Sequence, residues 1–382
     1  MKLTTRLLLG SAFTAAILIV VFGDSANTGL RFIAKLAILA TVLAVPTSVL
    51  VTRFFGRDSN RKLWSTLALL GISLAVTLLG AEFVVRIAFR DIGTTADNSS
   101  YFARRWYSVH PPARNSMGFR EREISTAKPP DTYRIAIIGD SFAYGQGILE
   151  EERFSNLLQD DLNSSPGRYE VLNFGRPGAE TDDHHRILDE VVLPLSPDFV
   201  LLQWFVNDVV ILKSGRPTAI RLIPSDFAHA WLHAHSALYY LIHRQWLSLQ
   251  GKLGLTEQHV DNMTRRFEDP DSEESLAASV AFEHLIWRLK EQGIPAGMVL
   301  FPMMVNVDGD SDAYPLGFLM DRVLAICQAR AFPCLDLRRV FAGTLSNSNL
   351  WVNRLDHHPG AAANERASEA ILARFSSAWR VH

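Results

Sequence analysis

The chain has 382 residues, a formal net charge of −2 and 48% hydrophobic residues, with a mean hydropathy of +0.08. That length suits one large domain or two ordinary ones, and a charge so near zero excludes nucleic-acid binding by bulk electrostatics. An apolar content this high is unusual for a soluble protein, and the excess lies in the first 90 residues.

Three apolar runs fill that region, at about Leu7–Phe22, Phe32–Val51 and Leu63–Phe89. Each is near the ~20 residues that cross a bilayer. Lys2 and Arg6 give the first run the basic start of a signal peptide. Two further runs follow it, and Ser25-Ala26-Asn27 is a poor cleavage site, so residues 1–90 are expected to hold three retained transmembrane helices. Arg53, Arg57, Arg61 and Lys62 stand between the second and third runs, against Asp58 alone. The positive-inside rule then puts the N-terminus and this loop in the cytoplasm. Everything after Phe89 lies outside, in the periplasm if the cell has two membranes. Glu82 and Arg86, four residues apart on the third helix, either pair on one face or, the simpler reading, mark its interfacial end.

Residues 91–130 read as a linker or wrapping segment. Thr94–Ser100 is polar and is expected to be loose, whereas Tyr101, Phe102, Trp106 and Tyr107 are too aromatic for disorder. From 131 onward, strands alternate with helices. Strands are expected to end at Gly139 and to span Tyr169–Phe174, Asp198–Phe205, Gly297–Met304 and Cys334–Leu337. Helices are expected at Glu150–Leu162, Ala179–Leu193, Glu274–Gln292, within Tyr314–Ala331, and at Pro359–Trp379 with Pro359 in the first turn. This alternation predicts an α/β domain, a parallel five-stranded sheet flanked by helices, over 131–382. An insertion at about 209–272 carries Trp231, Tyr239, Tyr240, Trp246 and five histidines. It reads as a helical subdomain with an aromatic core, or as a wall of a substrate pocket. The spacing of Cys327 and Cys334 allows a disulfide, and two buried thiols fit equally well.

The most informative stretch is Arg134–Gly145. Ile135–Ile138 has no polar face, as expected of a strand buried on both sides. It ends in Gly139-Asp140-Ser141, a turn at the edge of the sheet where ligands gather in open α/β folds. A serine there can offer Oγ to a substrate while its N–H points at a forming oxyanion. The tripeptide alone is weak, since Gly23-Asp24-Ser25 is a second copy, in a polar turn between apolar runs. After Ser141, however, come Asn173-Phe-Gly-Arg-Pro-Gly-Ala-Glu-Thr181, Phe205-Val206-Asn207-Asp208 and Asp356-His357-His358-Pro359 in order. Ahead of it stands Asn115-Ser-Met-Gly-Phe-Arg120. In this order the chain resembles the SGNH (GDSL-type) hydrolase superfamily from about Asn115 to its end.

The resemblance implies an SGNH, flavodoxin-like sheet and a serine nucleophile, Ser141, with His358 as base and Asp356 as the acid that orients it. It implies an oxyanion hole made of the Ser141 N–H, the Gly178 N–H and the Asn207 amide, with Gly175 competing for the place of Gly178. Two departures stand out. The family's Asp-x-x-His is here Asp-x-His, and Phe205 stands where the family has the glycine of Gly-x-Asn-Asp, which narrows the pocket. Asp208 reads as a structural cap. Asp182-Asp183-His184-His185 invites a metal reading, but adjacent helical residues do not share a face, so no metal or cofactor is expected.

The expected function is that of a membrane-anchored, extracytoplasmic serine esterase or lipase that cleaves an acyl ester through an acyl-serine. Its expected partners are a carbohydrate or lipid acyl ester and the membrane, and no nucleic acid. An O-acyltransferase acting on an envelope polysaccharide or glycolipid would use the same site. A non-catalytic carbohydrate-binding or scaffold protein is the third alternative, and the joint presence of Ser141, Asn207 and His358 argues against it.

Overall fold

The computed structural model describes residues 59–164, 168–208, 220–255, 259–307, 309–311, 314–343 and 346–379. The first two apolar runs and most of the basic loop after them lie outside these residues. The chain divides into two compact units, one of Met1–Asp91 with Ile223–Arg244, the other of Ile92–Leu222 with Gln245–His382.

In the first unit, helix α1 (Ser59–Ala88) contains 23 residues, Thr66–Ala88, long and apolar enough to cross a membrane. At 1.5 Å per residue they span about 35 Å, and Leu74, Val76, Leu79 and Phe83 are exposed along them. Glu82 and Arg86 do more than mark the end of this helix. Glu82 pairs with Arg86 Nε at 2.6 Å, and its carboxylate also accepts from the Ser236 hydroxyl and from the N–H groups of Ala237 and Leu238. Arg86 Nη2 donates to the His235 carbonyl at 2.8 Å.

The second unit holds the sheet. Its elements in chain order are α2 (Tyr101–Val109), β1 (Tyr133–Gly139), α3 (Ser141–Tyr144), α4 (Phe154–Leu162), β2 (Tyr169–Gly175), α5 (Thr181–Ile187) and β3 (Phe199–Trp204). Helices α6 (Asp226–His235) and α7 (Ala237–Lys252) belong wholly or in part to the first unit. Then come α8 (His259–Phe267), α9 (Glu273–Glu291), β4 (Ala296–Leu300), α10 (Gly317–Ala329), β5 (Cys334–Asp336), α11 (Arg338–Phe341), α12 (Asn347–Leu350), β6 (Trp351–Asn353), β7 (Asp356–Pro359) and α13 (Ala361–Phe375).

Strands β1 to β5 form one parallel sheet in the order β2-β1-β3-β4-β5. The order reverses between β1 and β3, which makes the C-terminal ends of these two strands the place where an open α/β sheet takes its ligand. The core is built as the sequence requires. Ile135, Ile137 and Ile138 in β1 and Val200, Leu201 and Leu202 in β3 are buried between helices on both faces. Each such side chain contributes about 2 kcal/mol of transfer free energy. Buried Arg134 ties the start of β1 to Glu170 at 2.6 Å and, through its own N–H, to Asp198. A disulfide joins Cys327 and Cys334, linking the end of α10 to β5.

Several elements depart from expectation for identifiable reasons. The helix expected from Ala179 to Leu193 is α-helical only to Ile187. It widens into a π turn at Leu188–Val192 and tightens into a 3-10 turn at Leu193–Leu195, where Pro194 has no N–H to continue the ladder. Strand β4 stops at Leu300, two residues before Pro302. Pro359 is not in the last helix. It closes β7, pairs with Trp351, and Gly360 N–H donates to the Leu350 carbonyl at 2.8 Å, so the chain stays extended and α13 begins at Ala361. Thr94–Ser100 is not loose. Thr94, Thr95 and Ser100 are buried, the carbonyls of Thr95 and Ala96 accept from Gln146 Nε2, and the Thr94 carbonyl accepts from Asn353.

Candidate active site

Ser141 begins a four-residue helix at the end of β1, with Asp140 as its cap: Asp140 Oδ1 accepts from Phe142 N–H at 2.8 Å. Two neighbouring strands hold this turn. On β3, Gln203 Oε1 accepts from the N–H groups of Asp140 (2.9 Å) and Ala143 (3.2 Å). On β2, Asn173 Nδ2 donates to the Ala143 carbonyl at 2.7 Å, and Asn173 Oδ1 accepts from Gly175 N–H at 2.8 Å. Arg120 spans the far side, donating to the carbonyls of Tyr144, Gly145 and Ile148. Gly139 and Gly175 allow these approaches. A Cβ on Gly139 would lie 2.3 Å from Gln203 Oε1, and one on Gly175 would lie 2.3 Å from the Tyr144 nitrogen.

Ser141 is buried, with 8% of its surface exposed. Its Oγ lies 2.9 Å from His358 Nε2, and His358 Nδ1 lies 2.6 Å from Asp356 Oδ1. A carboxylate can only accept, so Nδ1 carries the ring proton and donates it to Asp356, and Nε2 is left to accept from the Ser141 hydroxyl. The extended strand β7 makes this arrangement. Side chains two apart on a strand share a face, so Asp356 and His358 point together, with Asp356 fully buried. The same oxygen, Asp356 Oδ1, also accepts from His358 N–H at 3.2 Å. His357 points the other way and stacks on Trp351, ring centroids 4.0 Å apart. The Asp-x-His spacing thus reaches Ser141 because β7 is a strand.

The loop after β2 lies beside the Ser141 turn because Arg176 N–H donates to the Gly139 carbonyl at 3.0 Å. Gly178 in that loop has φ +75°, with open space where a Cβ would stand. Among the described residues neither the Ser141 N–H nor the Gly178 N–H has an acceptor. Gly175 N–H is taken by Asn173, which removes it as a donor to a substrate. Asn207 sits in a 3-10 turn, Val206–Asp208, at the end of β3, and its side chain lies outside the described part of the structure.

Asp208 secures that turn. Its Oδ2 accepts from Phe205 N–H at 2.9 Å, and its carbonyl accepts from the Thr181 hydroxyl. Burial, and then the nearby Asp140 carboxylate, hold its carboxyl well above the usual carboxylate range. His184 Nε2 stands 3.8 Å from Asp208 Oδ1, and burial pushes the imidazole down to about 4. Both directions favour neutral partners, so this contact is not an ion pair. The rest of Asp182–His185 serves helix α5. Asp183 completes a capping box with Glu180, and His185 Nε2 lies 3.1 Å from the Ala281 carbonyl. Among the described residues no group of three or more His, Cys, Asp or Glu is placed to hold a metal.

Phe205 packs on Phe142, ring centroids 4.1 Å apart, and Phe142 meets the His358 ring edge-on at 5.4 Å. A sequence reading centred on motifs passes over Gln203, Asn173 and Arg120 as holders of the turn. For the first two, the available signal is a single amide set among apolar residues, Gln203 in β3 and Asn173 between Leu172 and Phe174 in β2.

Residues 137–366 match the GDSL-like Lipase/Acylhydrolase family. Comparison with curated proteins returns no match. Among solved structures, the chain is similar to the acetyl xylan esterase AlAXEase at 16% identity and TM-score 0.39, covering 63% of this chain and 98% of that one. It is similar to the acetylxylan esterase Axe2 from Geobacillus stearothermophilus at 17% identity and TM-score 0.39, covering 65% and 97%. The lipase/acylhydrolase from Enterococcus faecalis aligns at 15% identity and TM-score 0.39, again over 65% and 97%. Matched over more than half of its length, the chain belongs to the GDSL-like lipase/acylhydrolase family and is a serine acylhydrolase of the SGNH type.

Proposed function

We propose that the protein is a membrane-anchored esterase that cleaves a short acyl ester through an acyl-serine, with Ser141 as nucleophile, His358 as base and Asp356 as its orienting acid. The observation that carries this reading is the continuous hydrogen-bonded chain from Ser141 Oγ through His358 to Asp356 at the switch point of the sheet. Ser141 Oγ attacks the ester carbonyl as His358 Nε2 takes its proton. The tetrahedral oxygen is held by the N–H groups of Ser141 and Gly178 and by the Asn207 amide. The intermediate collapses with His358 returning the proton to the leaving alcohol, and water then releases the acid by the same route. A fluorophosphonate probe tests the reading without knowledge of the substrate: it should form a single adduct on Ser141, and labelling elsewhere or not at all would refute it.

The oxyanion role of Asn207 has its own test. Asn207→Ala should lower kcat by about a hundred-fold or more, the usual loss for one such donor, with little change in KM. A change confined to KM would make Asn207 a ground-state contact instead. The short-acyl preference rests on Phe205, whose ring fills the space a glycine would leave beside Phe142. Phe205→Gly should raise the kcat/KM ratio of an octanoyl to an acetyl aryl ester by about ten-fold or more, the scale on which a few methylenes are sorted by a pocket. An unchanged ratio would remove Phe205 from the pocket.

The esterase domain is placed outside the cytoplasm on the charge of Arg53, Arg57, Arg61 and Lys62 ahead of the span Thr66–Ala88. A reporter active only after export should work when fused after His382. Activity from a cytoplasm-dependent reporter alone would reverse the topology.

A further inference from the structure

Helix α6 (Asp226–His235) is amphipathic in the wrong sense for a surface helix in water. Phe227, Ala230 and Trp231 are exposed, Phe227 at 80% and Trp231 at 52%, with half-buried Ala234 completing the stripe at helical spacing. Two of its three histidines, His229 and His233, turn inward, while His235 is exposed. His233 is buried, His229 Nδ1 lies 2.8 Å from the Tyr239 hydroxyl, and the His229 and His243 rings are 4.6 Å apart. A surface helix in water normally shows the opposite pattern, polar residues outward and the apolar stripe to the core.

The place of this helix in its unit gives the reason. The corner between α6 and α7, His235–Leu238, is fastened to the last two turns of α1 by the Glu82 and Arg86 bonds described above. Glu82 is six residues before Ala88, the last residue of the span, or about 9 Å along the axis. Each headgroup layer is about 5–7.5 Å thick, so with Ala88 at the outer edge of that layer Glu82 lies near its inner boundary with the acyl chains. The carboxylate that would be costly at the membrane centre is instead capping the N-terminus of α7. A helix held at that depth meets the headgroup–acyl boundary, where Trp is favoured because its ring is buried while its N–H stays wet, and Phe because it adds buried apolar area.

We infer that the Phe227, Ala230, Trp231 stripe of α6 lies in the lipid surface of the membrane crossed by Thr66–Ala88, as an interfacial helix continuous with the anchor. The inference rests on the reading of Thr66–Ala88 as a span. Its partner is the bilayer itself. Its consequence is that the insertion holds the anchor at a fixed depth and rotation, with Trp231 at the boundary and its ring stacked on His235, centroids 4.9 Å apart.

The test uses the full chain in proteoliposomes, with a nitroxide on a single introduced cysteine. The two native cysteines are joined to each other, so the new thiol is the one that reacts. Trp231→Cys and Phe227→Cys replace exposed side chains, and Val76→Cys near the middle of the span reports on the anchor separately. Relaxation by oxygen, which concentrates in lipid, is compared with relaxation by a water-soluble nickel chelate. At 231 and 227, collisions with oxygen should exceed those with nickel several-fold, and at 76 by more. Lipid exposure at 76 with nickel access at 227 and 231 would overturn the interfacial helix and leave the span intact. Nickel access at all three would overturn both. Protection from both relaxants at 227 and 231 would mean that protein covers the stripe, either a second copy or another partner, and would equally overturn it.

Discussion

Ser141→Ala is expected to lower hydrolysis of a short-chain aryl ester by about four orders of magnitude or more, because the residual rate then comes from binding and oxyanion contacts without a nucleophile. Labelling by a fluorophosphonate should vanish with it. The fold should survive. Among the described residues Ser141 Oγ has one partner, His358 Nε2, whereas the turn is held by bonds that the substitution leaves alone. These run from Asp140 to Phe142 N–H, from Gln203 to the Asp140 and Ala143 N–H groups, and from Asn173 to the Ala143 carbonyl. The measurement pairs activity with a thermal melt of the purified protein. Full turnover by a folded Ser141→Ala protein would move the nucleophile elsewhere, and loss of activity with loss of folding would show that the hydroxyl is structural.

The parts of this site that were legible from sequence are those whose chemistry is local. Ile135–Ile138 reads as a central strand because burial on both faces leaves no polar position. Gly139-Asp140-Ser141 reads as a turn because a short acid can cap the helix that follows. The holders of the turn were not legible, because their partners are far away in sequence. Gln203 is 63 residues from the Asp140 N–H it accepts from, and one amide in an apolar strand gives no hint of what it touches. The hairpin β6–β7 was hidden for another reason, since strands of three and four residues are too short to display a period of two. Pro359 misled because its fixed φ suits either the first turn of a helix or an extended strand. The pairing of Trp351 with Pro359 chose the strand. Thr94–Ser100 is misleading because its polarity suggests mobility, whereas the backbone carbonyls of Thr94, Thr95 and Ala96 each accept from Asn353 or Gln146.

His358→Ala is expected to be as damaging as Ser141→Ala, since nucleophile and base act as a unit and losing either removes the activated hydroxyl. The neighbouring histidine should behave differently. His357 stacks on Trp351 at 4.0 Å and is turned away from Ser141 by the alternation of the strand. His357→Ala should therefore keep most of the activity and show at most a modest loss of stability, about 1 kcal/mol for a stacked aromatic pair. Asp356→Asn should fall between the two. An amide oxygen can still accept from His358 N–H or from Nδ1, so the ring can stay in place, but the imidazolium formed during attack loses its compensating charge. The double variant separates this account from a general loss of fold. If Asp356 acts only through His358, adding Asp356→Asn to His358→Ala should cost little more than His358→Ala alone, because the orienting acid has nothing left to orient. Activity in His358→Ala with a dead His357→Ala would shift the base by one residue. Additive losses in the double variant would give Asp356 a role of its own, apart from the histidine it holds at 2.6 Å.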